Sequence, residues 1–128
     1  IDLDTVMPGL SAHDFGDTVR FGANDCREDE EDQSKVHFLP QLYRVCERGF
    51  LSQAGEVLTA REKEVLRWGA KLMTLECGMR FLTDYLQGDV YFKIARPDQN
   101  LDRARTQFTL VQQMEACWDE LAPEESKL

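Results

Sequence analysis

Two aspartates at the start of the chain, Asp2 and Asp4, have the side chains and spacing best suited to chemistry. They alternate with Ile1 and Leu3, as residues do along a β-strand with one buried face, and the run ends at Pro8. Carboxylates held at the end of a strand can bind a divalent cation. An edge strand whose acids are merely solvated is the alternative interpretation, and the pattern alone leaves both open.

Helical patterns dominate the rest of the sequence. Ser11 is placed to cap a short helix that ends at Gly22. Apolar residues then recur at helical spacing over 39 to 54, 59 to 87 and 101 to 121, which predicts three longer amphipathic helices.

Local signals mark the ends of these helices. Pro40 suits a first turn, Thr59 and Glu62 form a capping box, and Asp98 or Asn100 is expected to cap the last helix. The fold class is therefore mainly α, in a single domain spanning residues 1 to 128, with at most a short strand or hairpin at residues 1 to 6.

Residues 23 to 35 carry six acids and show no regular spacing of apolar residues. We expect them to form an exposed, mobile loop without a chemical role.

Composition narrows the functional classes. The 128 residues carry a formal charge of −9, which disfavours binding to nucleic acid and is better matched to a divalent cation. No apolar run approaches the roughly eighteen residues of a membrane span, so we expect a soluble, cytoplasmic protein. The four cysteines lack metal-ligand spacing, and free, buried thiols are favoured over disulfides or zinc.

The opening residues resemble the signatures of two enzyme families. D-L-D-T fits the D-x-D-x-[TV] signature of the haloacid dehalogenase phosphatases, which implies Asp2 as nucleophile, Asp4 as general acid and Mg²⁺ between them. That family has alternating strands and helices, whereas helical patterns follow here. The phosphatase interpretation is therefore the alternative.

A longer resemblance is to the aminoglycoside and choline kinase-like phosphotransferases. IDLDTVMPG followed by HDFGD is similar to their strand-borne I-D-x-[DE], the Pro-Gly turn and the D-[LFI]-[AG] element. IDLDTVMPGLSAHDFGDTVRFGA, GMRFLTDYLQGDVYFK and NLDRARTQ are most similar to the N-acetylhexosamine 1-kinase branch. The resemblance implies the C-terminal helical portion of a protein-kinase-like fold, whose small lobe and catalytic loop precede this chain.

The resemblance also implies roles for individual residues. Asp2 matches the metal-binding aspartate that holds Mg²⁺ against ATP. Asp4 would support that site without binding the metal, and Asp14 would hold its helix against the catalytic loop. No catalytic residue is expected within this chain.

Sugar contacts are expected on the C-terminal helices. Arg80 and Tyr91 are the candidates, because guanidinium donors and a flat ring suit the hydroxyls, amide and apolar face of a pyranose. From the residues alone, an ion pair between Arg80 and Asp84 is the more common arrangement. Trp118 is a weaker candidate, and Trp68 is assigned to packing.

A third hypothesis is a non-catalytic helical interaction domain whose opening acids are solvated.

On the kinase hypothesis, the parent enzyme phosphorylates the anomeric hydroxyl of an N-acetylhexosamine, while the isolated chain is inactive. Its core would be incomplete on one side, and the strand over residues 1 to 6 would lack its partners, so we expect either self-association or a disordered N-terminus.

Overall fold

The computed structural model describes residues 3–123, which form four α-helices and two short 3₁₀ helices. The α-helices are α1 (Ser11–Gly22), α2 (Pro40–Ala54), α3 (Ala60–Leu86) and α4 (Gln99–Ala116). The 3₁₀ helices are Gln33–Lys35 and Trp118–Leu121. Within this part of the chain there is no β-strand beyond one isolated bridge between Asn24 and Phe38. The prediction of a mainly α fold is confirmed.

The predicted N-terminal strand is wrong for the part of it that is described. The backbone N–H of Val6 donates to the carbonyl oxygen of Leu3 at 3.2 Å, and this bond closes a turn at Asp4 and Thr5. A strand needs a neighbouring strand for its backbone groups, and residues 3–123 offer none. Asp2 lies outside the described residues.

Helix α3 is the centre of the molecule, as the sequence predicts, with α1 packed on one side and α4 on another. Its capping box is confirmed: the Thr59 hydroxyl accepts from the Glu62 N–H, and the Glu62 carboxylate accepts from the Thr59 N–H.

Helices α1 and α3 meet at two glycines, Gly16 and Gly69. A Cβ on Gly16 would overlap the carbonyl oxygen of Gly69, so the absence of side chains allows the backbones to touch.

An aromatic cluster fills the core between α1, α2 and the ends of α4. Phe15 packs edge-on against Tyr43 with ring centroids 5.5 Å apart, and Phe38 lies 6.4 Å from Tyr43. Burial raises the pKa of Tyr43, whose hydroxyl donates to the carbonyl oxygen of Leu121 at 3.4 Å. The core also contains the following buried residues: Val19, Ala23, Val36, Leu66, Ala70, Leu110 and Met114.

Three helix ends differ from the sequence prediction. Helix α1 follows Leu10, which has no side-chain cap, and Ser11 is already helical. Asp98 does precede α4, but its carboxylate accepts from the hydroxyl of Tyr85 at 2.9 Å and does not cap the helix. Helix α4 stops at Ala116, and the following 3₁₀ turn brings Leu121 into the core.

The acidic segment over residues 23–35 makes contacts with other elements, whereas the sequence predicted a solvated loop. Glu28 and Asp29 are half-buried and pair with arginines from other elements: Glu28 with Arg20 at 3.1 Å, and Asp29 with Arg96 at 3.7 Å. The prediction of a run of solvated charges is therefore wrong for these two residues. Tertiary partners on α1 and before α4 hold the segment against the helices.

The four cysteines are half-buried free thiols. Burial raises the pKa of each of them. No helix among residues 3–123 combines the length and the apolar character that crossing a membrane requires.

Candidate functional site

The candidate site is an open groove of about 320 Å³ along the C-terminal end of α3. It contains both residues that the sequence analysis selected for sugar binding, Arg80 on α3 and Tyr91 on the following loop. The remaining lining residues are Thr83, Asp84, Gln87 and Phe92. A volume of this size matches sites for small molecules.

Asp84 builds the loop that forms one wall of the groove. Its Oδ1 accepts from the backbone N–H groups of Val90 and Tyr91 at 3.0 and 2.8 Å. Its Oδ2 accepts from the N–H of Phe92 at 3.0 Å and from Nδ2 of Asn100 at 2.8 Å. One carboxylate therefore fixes three consecutive loop residues and ties them to α4.

The environment of Asp84 keeps it ionised. Only 3% of its surface is exposed, and this loss of solvent by itself raises the pKa of its carboxyl. The donated hydrogen bonds outweigh that effect and hold the pKa below its usual range. The turn that leads into the loop contains Gly88 and Asp89 with positive φ angles of 94° and 60°, which are uncommon backbone conformations. By binding the loop that follows, the Asp84 carboxylate also stabilises this turn.

Arg80 is held over aromatic rings. Its Cζ lies 5.8 Å from the ring centroid of Tyr91 and 5.4 Å from that of Phe92. The ion pair between Arg80 and Asp84 that the i+4 spacing suggested is wrong, because the loop N–H groups and Asn100 occupy the carboxylate instead. The guanidinium N–H groups thus face solvent along the groove, beside the exposed ring of Tyr91.

The groove combines hydrogen-bond donors and acceptors with a flat apolar face. The hydroxyl of Thr83 and the amide of Gln87 can both donate and accept hydrogen bonds. The Arg80 guanidinium adds donors, and the Tyr91 ring adds a flat apolar face. The sequence analysis missed Thr83 and Gln87. Their spacing from Arg80, at i+3 and i+7, was the available signal, because it places all three on one face of α3.

The other predicted residues lie away from this groove. Asp4 and Asp14 are exposed, the first in the N-terminal turn and the second on the surface of α1, and neither lines the groove. Trp118 packs edge-on against Trp68 with ring centroids 4.8 Å apart, and the cationic groups of Arg67 and Lys71 lie over its ring at 4.8 and 5.5 Å. Both tryptophans therefore take part in packing between α3 and the end of α4.

A magnesium site does not arise from the described residues alone. Between residues 3 and 123, no three His, Cys, Asp or Glu side chains come together in an arrangement that could hold a metal ion. Asp2, the expected ligand, lies outside this range. Asp84, the one acid among the described residues that line the groove, is engaged by backbone N–H groups.

No protein-family model matches the chain.

Proposed function

We propose that this chain is the C-terminal helical portion of an ATP-dependent small-molecule kinase that phosphorylates the anomeric hydroxyl of an N-acetylhexosamine. One observation carries the proposal. Arg80 and Tyr91, which the resemblance selects as sugar contacts, are eleven positions apart in sequence and yet line a single groove, with the guanidinium over the ring.

The groove has the donors and acceptors that this substrate needs. An N-acetylhexosamine offers hydroxyls, one amide and an apolar ring face. Tyr91 supports stacking against the ring face, while Arg80 and Gln87 suit the hydroxyls and the acetamido oxygen. Because Asp84 fixes the loop backbone around Tyr91, the ring is positioned before the sugar arrives, and this lowers the entropic cost of binding.

The proposal includes ATP and Mg²⁺ as the resemblance implies them. Asp2 would be a metal ligand, Asp4 a nearby supporting acid, and Asp14 a link between α1 and the catalytic loop. The catalytic base and the nucleotide-binding residues are assigned to none of residues 3–123. The proposed enzyme binds neither nucleic acid nor a membrane and acts in the cytoplasm.

The phosphatase alternative finds less support in the fold. It requires alternating strands and helices over residues 30 to 120, and the described structure has helices throughout that range. The interaction-domain hypothesis keeps one supporting observation, an exposed apolar stripe on α3 formed by Trp68, Leu72, Met79 and Leu86.

The decisive experiment measures ATP consumption by the full-length protein with and without N-acetylglucosamine. We expect sugar-dependent turnover, and we expect Asp2→Asn to remove most of it while the sugar remains bound. A phosphatase would instead form an aspartyl-phosphate at Asp2 without any ATP. Unchanged turnover in Asp2→Asn would contradict the role of this residue.

The groove is tested separately in the same assay. Tyr91→Ala should raise the KM for the sugar by roughly tenfold with little change in the KM for ATP, because it removes a stacking face from one substrate only. The matched control is Tyr85→Ala, since Tyr85 lies on the same helix end but bonds Asp98 and does not line the groove. Equal effects of the two substitutions would contradict the assignment of the groove as the sugar site.

The 128-residue chain alone should show no kinase activity in this assay, because phosphoryl transfer needs several positioned charges.

A further inference from the structure

Basic side chains converge on a second cavity, of about 310 Å³, beside the groove. They come from four parts of the molecule: Arg20 from α1, Arg80 from α3, Lys93 from the following loop and Arg103 from α4. Glu28 is the one carboxylate among the described lining residues. We call this cavity the cationic pocket.

The charge of the cationic pocket opposes that of the whole chain. The chain has 24 acids and 15 lysines and arginines, so an average surface would give each cation an acidic neighbour. Here two acids serve the four cations: Arg20 pairs with Asp17 at 2.9 Å and with Oε1 of Glu28 at 3.1 Å, and Oε2 of Glu28 lies 4.0 Å from Nε of Arg103. Arg80 and Lys93 make no ion pair with any acid of the described chain. Positive charge therefore remains uncompensated.

Contacts that do not neutralise the charge hold the arginines in place. Arg103 donates from Nη1 to Oδ1 of Asn100 at 2.9 Å and to the carbonyl oxygen of Lys93 at 3.2 Å. Its Cζ lies 5.6 Å from the ring centroid of Phe81. Phe81 in turn packs against Phe92 at 4.7 Å, the ring over which Arg80 lies. The two guanidinium groups thus lie over a pair of rings that pack against each other at a tilt of 55°.

One donor in the cationic pocket lacks an acceptor. Nε of Arg103 is buried and has no hydrogen-bond partner among the described residues, because 4.0 Å to Glu28 is too long for such a bond. A buried charged donor without an acceptor is costly. A bound anion would supply the acceptor and the missing negative charge together.

We propose that the cationic pocket binds a phosphate group. Phosphate carries up to two negative charges and several acceptor oxygens, which suits converging guanidinium groups. A polyanion such as nucleic acid does not fit, since the pocket is small and the chain around it is acidic. The phosphate has two possible sources, free inorganic phosphate or the phosphate of a sugar phosphate, because Arg80 and Phe92 line both the pocket and the groove. The pocket is inferred from charge and contacts and does not rest on the proposed kinase function.

Calorimetric titration of the 128-residue chain with inorganic phosphate, at constant ionic strength, tests the proposal. We expect saturable binding that Arg103→Gln weakens by roughly tenfold. Arg105→Gln is the matched control: it removes the same charge from the same helix, but Arg105 is 57% exposed at its side chain and pairs with Asp102 outside the pocket. Lys93→Gln gives a second variant, because the exposed Lys93 can be changed without disturbing the core. It should weaken phosphate binding by roughly threefold or more.

A second titration, with N-acetylglucosamine 1-phosphate, distinguishes the sources. Tighter binding than inorganic phosphate, with the excess lost in Tyr91→Ala, identifies a sugar phosphate spanning both cavities. Equal affinity for the two ligands identifies free phosphate. Absence of saturable binding by either ligand overturns the proposal, as do equal losses in Lys93→Gln and Arg105→Gln. Neither titration contains ATP, so its outcome is independent of whether the parent protein is a kinase.

Discussion

Asp84 shows how one buried carboxylate can shape a groove by fixing the loop beside it. Its carboxylate accepts three backbone N–H groups of the loop that carries Tyr91, and a fourth bond joins it to Asn100 on α4. In the sequence, Asp84 looks like an ion-pair partner for Arg80 at i+4. Its partners, however, come from two separate later segments, so no local pattern could reveal the role.

Substituting Asp84 should loosen the loop and destabilise the fold. In Asp84→Asn an amide replaces the carboxylate, so one acceptor oxygen remains for four donors and the charge is lost. We expect Tm to fall by roughly 5 °C or more. Asp119→Asn, at an exposed position, is the matched control and should leave Tm nearly unchanged. Similar thermal shifts in the two variants would contradict the role of Asp84.

The same carboxylate predicts a pH dependence. The folded pKa of Asp84 lies below its usual value, so the folded state favours the ionised form more than the unfolded state does. Its contribution to stability is therefore complete above the unfolded value of about 3.9 and is lost as the pH falls through the lower folded pKa. Urea denaturation between pH 5 and 2, compared between wild type and Asp84→Asn, should show a smaller acid-induced loss in the variant.

The predicted and observed helix bounds agree where signals within the segment itself determine them. The ends of α2 and α3 lie within one residue of their predicted bounds, because Pro40, the Thr59 capping box and the apolar period are encoded within each segment. Arg80 and Tyr91 were predicted as sugar contacts only through the resemblance, and Thr83 and Gln87 of the same groove were not predicted. Periodicity locates α3, but it does not indicate that the loop after it folds back.

Prediction failed where distant partners decide the structure. Residues 3–6 alternate as a strand does, but no strand lies beside them in the described chain, and they form a turn. Glu28 and Asp29 look like solvated charges in the sequence, and they are bound by arginines that lie 8 and 67 residues away. The cationic pocket was missed for the same reason.

The glycine contact between α1 and α3 yields a test at the element scale. A methyl group at Gly16 would overlap the backbone of Gly69, and the crossing helices would have to separate. Gly16→Ala should therefore lower the free energy of unfolding by about 1–3 kcal/mol, measured by urea denaturation. Gly49→Ala is the matched control, because Gly49 lies within α2 with nothing near its Cβ position, and it should stabilise by up to about 1 kcal/mol.

The surface of the molecule includes an exposed apolar stripe on α3. Trp68, Leu72, Met79 and Leu86 are 45, 51, 56 and 74% exposed. Their spacing of four, seven and seven residues places them on one face, over about 27 Å of helix. Exposed apolar surface that forms a continuous stripe marks an interaction site more often than scattered single residues do.

We therefore expect the 128-residue chain to self-associate through the stripe. Two copies that bury their stripes against each other remove apolar surface from water, which is the main favourable contribution in most protein association. Light scattering over a range of concentrations should give a dimer or larger assembly, and Leu72→Gln should shift it towards the monomer. Val57→Gln removes an apolar side chain that is more exposed than Leu72, at 81% against 51%, from the turn after α2 and should leave the assembly unchanged. A monomer at every concentration, or an equal response of the two variants, would contradict the role of the stripe.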